Sequence, residues 1–178
     1  MGERQSIFLQ FNFGWNSQDI LLARDRYRGN TAEMHREGLA FASGQKIAAG
    51  EISLGSLDAI IKWKSSRPLG MIRTDNTSEE IIEALHVTVR AEQARTAMGV
   101  LCGLRGVAVP MASAILTAIY PDHYTIIDWR TLKALGIRKS SLSIDNYLQY
   151  LKFCKAMAAE LEIPLRDLDQ ALWMLGGT

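Results

Sequence analysis

The sequence has few of the residues that build covalently or metal-stabilised folds. Only two of its 178 residues are cysteines, Cys102 and Cys154. Two thiols cannot form a disulfide framework, and they exclude a four-cysteine iron–sulfur cluster or zinc ribbon within the chain. We therefore expect a reduced protein without a cofactor, whose stability depends on its hydrophobic core.

Long apolar runs and an excess of one charge are also missing. No stretch reaches the roughly 18 consecutive apolar residues of a membrane span. The first ten residues, MGERQSIFLQ, carry charges where a signal peptide needs an apolar run. We expect no membrane partner and a cytoplasmic location. The net charge of +1 excludes a uniformly polybasic nucleic-acid binder.

The charged residues are nevertheless unevenly distributed along the chain. Residues 101–140 carry a net charge of +3, and residues 141–178 carry −2. This asymmetry is compatible with one basic face, the kind of surface that attracts nucleic-acid phosphates. The sequence contains no Walker loop, GxSxG elbow, zinc motif or dinucleotide fingerprint, so none of those chemistries is indicated.

What the sequence does contain is helical periodicity. Hydrophobic residues make up 48% of the chain, and in most segments they recur at helical spacing. Capping or helix-starting residues precede these segments: Asn16 or Ser17, Thr31, Ser56, Ser141 or Ser143, and Pro164. Residues 5–13 form the one possible extended segment. We predict an all-α fold in a single domain over residues 1–178, with Trp173 in its core.

The most informative segment covers residues 99–136. Leu101 and Leu104 end one apolar helix, residues 106–108 form a tight turn, and Pro110 suits the first turn of the next helix. Unpaired backbone N–H groups at such a helix start form an anion site, for which a DNA phosphate is one occupant. A plain helical corner without a ligand is the alternative interpretation.

An aspartate follows the second of these helices. The apolar residues 125–127 lead into Asp128, and Trp129, Leu132 and Leu135 then resume helical spacing. Asp128 is therefore predicted to be the N-cap of a short helix. Taken alone, this position indicates a structural role, in which the carboxylate only bonds to backbone N–H groups.

Together, the hairpin and the aspartate resemble the helix–hairpin–helix DNA glycosylase superfamily. The residues that carry the resemblance are the hairpin Leu104-Arg105-Gly106-Val107-Ala108, its lead-in Cys102-Gly103-Leu104, the small residues after it, and the segment 126–135 around Asp128. The separation of 22 residues between Gly106 and Asp128 also agrees. The resemblance implies a helical bundle of the helix–hairpin–helix DNA glycosylase type, with its hairpin at about residues 92–119 and DNA as its partner.

The resemblance also implies roles for individual residues. Asp128 would be the catalytic carboxylate. DNA contacts would come from Arg105, Gly106, Val107, Ala108, Ser113, Arg130 and Lys133. Main-chain carbonyls of Cys102, Leu104 and Val107 would be the possible ligands of a monovalent cation, and no other metal site is indicated.

The hairpin departs from the family at two positions. Pro110 stands where strand-cleaving members carry a nucleophilic lysine, so no Schiff base can form there, and the implied activity is monofunctional. Ala108 replaces a glycine; if this position requires a positive φ, alanine costs roughly 1 kcal/mol and reshapes the loop.

Aromatic residues are the candidates for a pocket that stacks an extruded base. Trp63, Tyr124 and Trp129 are predicted for this role, with core packing as the alternative for each. Trp63 is the most informative because Lys64 and Arg67 follow it. The leading hypothesis is a monofunctional DNA glycosylase. The alternatives are a non-catalytic helix–hairpin–helix DNA-binding protein and a helical protein-interaction domain; no particular protein partner is indicated.

Overall fold

The fold is all-helical, as predicted. A computed structural model describes residues 9–137 and 142–177, and within these residues it contains ten α-helices and no strand. None of the described helices combines the length and the apolar character needed to cross a bilayer. The helices are α1 (Ser17–Arg28), α2 (Thr31–Ala48), α3 (Leu54–Lys64), α4 (Leu69–Thr74), α5 (Ser78–Arg90), α6 (Ala94–Gly103), α7 (Val109–Ile119), α8 (Trp129–Ala134), α9 (Ile144–Glu160) and α10 (Leu165–Leu175).

Most helices begin near the predicted capping residues. Asn16 and Ser143 each form a capping box, in which the side chain accepts from the third helical N–H and the third side chain bonds back. Asn30, rather than Thr31, caps α2. Ser53, rather than Ser56, caps α3, so that helix begins one turn earlier than predicted. The error arises because serines at both positions satisfy the capping preference.

Helix α7 forms the centre of the bundle. All of its residues except Pro110 are buried, and it packs against α2, α3 and α6. Its alanines permit close approach, and α2 meets it at a glycine. A Cβ atom added to Gly44 would lie 1.9 Å from the carbonyl oxygen of Ala118. The contact between α2 and α7 is therefore backbone against backbone at this point.

Replacing Gly44 with alanine is expected to destabilise the protein by about 1–3 kcal/mol, because the helices must separate to admit the methyl group. Gly38→Ala is the matched control on the same helix, since nothing lies within 4 Å of its added Cβ. That control should be neutral or stabilising by up to about 1 kcal/mol, from reduced backbone entropy in the unfolded chain. Urea denaturation of the two variants checks this; equal midpoints would contradict the packing of α2 on α7.

Helix α10 joins the first part of the chain to α8. It packs against α1, where Asp167 accepts from Arg24 and Arg28 at 2.7 Å each. At its other end, a Cβ atom on Gly176 would lie 1.8 Å from the carbonyl oxygen of Arg130. This close approach holds the end of α10 beside the beginning of α8.

The possible extended segment is not a strand where the structure describes it. Residues 5–8 lie outside the described residues. At residue 9, the backbone N–H and carbonyl of Leu9 bond to the amide of Gln149 at 2.9 and 2.7 Å, and Asn12 donates to the carbonyl of Leu135 at 3.0 Å. The segment therefore pairs with a side chain and a helix end instead of another strand.

Candidate functional site

The helix hairpin lies where the sequence predicts it. Helices α6 and α7 enclose a loop of five residues, 104–108. Gly106 adopts a φ of +84°, and a Cβ atom there would lie 2.9 Å from Cγ1 of Ile72, so both conformation and space require glycine. Ala108, in contrast, has a φ of −87° and caps α7 in an extended conformation. The expected cost of alanine at this position therefore does not arise.

The hairpin loop is held by a residue that the sequence analysis did not single out. The side chain of Asn76 accepts from the N–H of Arg105 at 2.8 Å and donates to the carbonyl of Arg105 at 3.0 Å. It also donates to the carbonyl of Ile72 at 2.9 Å. Asn76 lies in the turn between α4 and α5. The amide thus fixes the loop from a segment 29 residues away.

Asn76→Ala is expected to reduce stability by about 1–2 kcal/mol, because two backbone groups of the loop lose their partner. If the loop binds phosphate, DNA affinity falls as well, since the loop is no longer preorganised. Asn76→Asp is the informative partner variant, because it keeps the acceptor for the Arg105 N–H and loses the donor. Its affinity should lie between those of the other two proteins. Unchanged melting and DNA binding in the alanine variant would contradict this role.

The hairpin loop is partly exposed, and some of its backbone donors have no partner among the described residues. Arg105 and Ala108 are exposed, and within residues 9–137 and 142–177 the N–H groups of Gly106 and Ala108 bond to no other group. Of the carbonyls proposed for a cation, that of Leu104 already accepts from the N–H of Val107 at 3.1 Å. No set of His, Cys, Asp or Glu side chains in the described residues is arranged to hold a metal ion.

Asp128 is the N-cap of α8, as predicted. Its Oδ1 accepts from the N–H groups of Arg130 and Thr131 at 2.9 and 3.1 Å. The hydroxyl of Thr131 accepts from the N–H of Asp128 at 2.9 Å and completes a capping box. Asp128 as a whole residue is only 8% exposed. One of its oxygens is therefore fully committed to the helix start, and the other remains for a different partner.

That partner is Lys64, which the sequence analysis treated only as a neighbour of Trp63. Lys64 ends α3, and its ammonium bonds to Oδ2 of Asp128. Both side chains are largely buried, with exposed fractions of 15% and 10%. Both carboxylate oxygens of Asp128 therefore have polar partners. No local pattern indicates this pair, because its members are separated by 64 positions.

Ser113 connects the hairpin to this aspartate, which corrects its predicted role. The side chain is fully buried; its hydroxyl donates to the carbonyl of Pro110 at 2.9 Å and accepts from the N–H of Ile127 at 3.2 Å. It therefore has no surface to offer DNA. Ser113 instead links α7 to Ile127, the residue before Asp128. It lies about 6 Å along the helix axis from Val109, the first residue of α7.

A cavity of about 240 Å³ lies beside the Lys64–Asp128 pair. Helices α1, α2, α3 and α10 contribute to it, and so does Ile126, two residues before Asp128. Trp63 and Trp173 are aromatic parts of its lining. Trp173 is thus half-buried in a cavity wall, not in the core as predicted, and the Arg130 guanidinium lies 3.9 Å from the centre of its ring.

The three aromatics predicted for a base pocket do not lie together. Trp63 lines the cavity beside Lys64. Tyr124 lines a separate groove of about 400 Å³, which it shares with Tyr120 and Lys155. Trp129 is 65% exposed on the surface, next to Arg130. Lys133 is also exposed, on the same helix as Trp129.

A buried charge network forms the inner wall of the cavity. Arg166 donates to both carboxylate oxygens of Glu37, at 3.1 and 2.6 Å, and also to Asp169. Burial would raise the pKa of Glu37, but Arg166 and the other hydrogen bonds outweigh it and hold the pKa below its ordinary value. Burial raises the pKa of Asp169, although Arg166 and Lys64 oppose the shift. This network was not predicted, since Arg166 and Asp169 belong to α10 but Glu37 lies on α2, 129 positions from Arg166.

Comparison with known proteins assigns no family to this geometry. No protein-family model, curated protein or solved structure matches the chain. The resemblance to the helix–hairpin–helix DNA glycosylases therefore stays a prediction that depends on residues 99–136.

Proposed function

We propose that this chain is a monofunctional DNA N-glycosylase, which hydrolyses the bond between deoxyribose and a modified or mispaired base. One observation carries the proposal. Asp128 is buried and is held by the start of α8 and by Lys64, and Lys64 itself lines a cavity with tryptophan walls. A carboxylate held beside a space for a ring is the arrangement that glycosidic hydrolysis needs.

The proposed chemistry uses the carboxylate without moving it. As the bond between C1′ and the base nitrogen lengthens, its electron pair leaves with the base and positive charge develops on the sugar. Asp128 stabilises this charge and accepts a proton from the water that attacks C1′. The N–H groups of Arg130 and Thr131 hold the carboxylate in a fixed orientation. The Lys64 ammonium donates a hydrogen bond to the departing base.

The hairpin supports the proposal because its loop has N–H groups that are unpaired within the described part of the chain, and its second helix is hydrogen-bonded to the residue before Asp128. A protein that extrudes a base must hold the DNA backbone on either side of that nucleotide. The free N–H groups of Gly106 and Ala108 are suited to one phosphate. Through Ser113, the helix that begins at this loop bonds directly to the residue before Asp128. The loop proposed to bind the phosphate and the carboxylate of Asp128 therefore belong to segments that are hydrogen-bonded to each other.

An excision assay tests the proposal. The full chain is incubated with a panel of duplexes, each with one deaminated, oxidised, alkylated or mispaired base, and with an undamaged duplex. We expect release of the free base from at least one damaged duplex, with strand breakage only after alkali. Breakage without alkali, with covalent trapping by borohydride, would contradict the monofunctional part and would indicate Lys64 as the amine. No base release from any duplex would contradict the proposal.

A non-catalytic DNA-binding protein is the second candidate. The observation that favours it is the Lys64–Asp128 ion pair, because a carboxylate that serves only to cap α8 and neutralise Lys64 needs no substrate. This candidate predicts salt-dependent binding to damaged and undamaged duplexes with equal affinity, and no release of base from either.

A further inference from the structure

The cavity beside Lys64 has the features of a ring-binding site with a defined hydrogen-bonding edge. Its volume of about 240 Å³ equals the space of roughly eight water molecules at about 30 Å³ each. That is below the usual range for drug-sized ligands and is suited to one or two fused rings. Arg36, 58% exposed, lies at its rim, so the cavity opens to solvent there.

The aromatic walls are already held in place. Trp63 meets Phe41 edge to face, with ring centres 5.4 Å apart. Trp173 meets Tyr27 in the same way at 5.6 Å, and Arg130 covers it from another side. Side chains held in this way lose little entropy when a ligand stacks on them.

Each cation of the lining already has a carboxylate partner, so its charge is neutralised within the cavity wall. Arg36 bonds to Glu33 at 2.5 Å, Lys64 bonds to Asp128, and Arg166 is shared by Glu37 and Asp169. A phosphate in this cavity would compete with those carboxylates and lose its water. The charge pattern therefore favours an uncharged ring over a phosphate.

Asp169 and Lys64, both in the lining, retain hydrogen-bonding capacity. Asp169 is 2% exposed; one of its oxygens bonds to Arg166, and the other accepts only a long bond of 3.3 Å from the N–H of Ile126. The Lys64 ammonium has three N–H donors, of which Asp128 engages one. The cavity thus presents a charged acceptor and a charged donor.

We infer that this cavity binds an uncharged planar heterocycle, with Asp169 accepting from a ring-edge amino or imino group and Lys64 donating to the adjacent nitrogen or carbonyl. Adenine-like and lactam-like edges have this donor–acceptor pair. The inference deepens the proposed glycosylase function, because it names the class of base that the cavity accepts. Asp169 is the residue that determines specificity.

Calorimetric titration of the full chain, without DNA, tests the inference with free ligands. The probes are adenine, which has the amino group beside a ring nitrogen, purine, which lacks the amino group, and inorganic phosphate. We expect adenine to bind at least about tenfold more tightly than purine, because a hydrogen bond to a charged acceptor is lost. Phosphate should bind more weakly than either. No binding of adenine at millimolar concentration, or tighter binding of phosphate, would overturn the inference.

Two variants and a matched control locate the binding. Trp173→Leu should weaken adenine binding at least about fivefold, since a stacking surface is removed. Trp129→Leu is the control, because that tryptophan is on the surface and outside the lining. Asp169→Asn should reduce the ratio of adenine affinity to purine affinity at least about threefold, because the asparagine oxygen is a neutral acceptor. Equal losses in the two tryptophan variants, or an unchanged preference in the Asp169 variant, would overturn the inference.

This test is independent of base excision. Adenine binding that depends on Trp173 and Asp169 supports the ring site even if no duplex loses a base. Excision without any adenine binding overturns the inference and leaves the glycosylase proposal in place.

Discussion

Asp128→Asn is expected to slow base release roughly 10²–10⁴-fold while leaving DNA affinity unchanged or increased. The lost charge no longer stabilises the cation that develops on the sugar, and the amide cannot accept the proton of the attacking water. Asparagine caps a helix about as well as aspartate, so the start of α8 should be kept, but stability should fall because Lys64 loses its charged partner. The asparagine oxygen can still accept from the N–H groups of Arg130 and Thr131. Single-turnover release of base and a binding titration on the same duplex measure the two quantities.

The matched control for this variant is Asp145→Asn. Asp145 is 67% exposed and pairs with Arg95 on the surface. This substitution removes the same formal charge far from the cavity. The rate of base release should stay within about twofold of the unaltered protein, because an exposed ion pair contributes little free energy. If both variants release base equally fast, Asp128 is only a helix cap. If Asp128→Asn abolishes DNA binding instead, the carboxylate is needed for the structure of the DNA-binding surface.

Arg166→Met is expected to destabilise the protein by about 3–5 kcal/mol. The guanidinium is 13% exposed and is shared by Glu37 and Asp169, whose side chains are 8% and 2% exposed. Its removal leaves two carboxylates buried without their cation, and an uncompensated buried charge is among the most destabilising changes known. In a chain of this length the loss corresponds to a fall in melting temperature of roughly 10 °C. Thermal unfolding followed by circular dichroism measures it.

Arg95→Met separates the effect of burial from the loss of an arginine. The Arg95–Asp145 pair is exposed on both sides, at 60% and 67%. The control should therefore cost less than about 1 kcal/mol. A triple variant, Glu37→Gln, Asp169→Asn and Arg166→Met, should recover part of the stability, because the unpaired charges disappear together. Equal melting of the two single arginine variants would contradict the network described for the cavity wall.

Local features of the fold are readable from the sequence for a local reason. Capping residues and apolar spacing act within one or two helical turns, so the helix starts at Asn16 and Ser143 and the cap at Asp128 follow from neighbouring residues. The hairpin turn is local as well, and its glycine is the residue with positive φ. Errors appear where two neighbouring residues satisfy the same preference, as Ser53 and Ser56 do at α3.

The site is different, because its chemistry depends on residues brought together by packing. Asn76 holds Arg105 from another turn, and Lys64 reaches Asp128 across 64 positions. Buried Ser113 ties α7 to the segment before Asp128 instead of facing solvent. No periodicity in the sequence encodes any of these contacts.

By itself, the sequence determined the helical class, the hairpin at Gly106 and the capping aspartate at 128, since short-range sterics and hydrogen bonding decide all three. The tertiary structure alone decided which groups share a cavity. Trp63 and Trp173 line this cavity, whereas Tyr124 lines another groove and Trp129 lies on the surface. The reason is that side chains meet according to how whole helices pack, and helix packing depends on all the faces of the bundle at once.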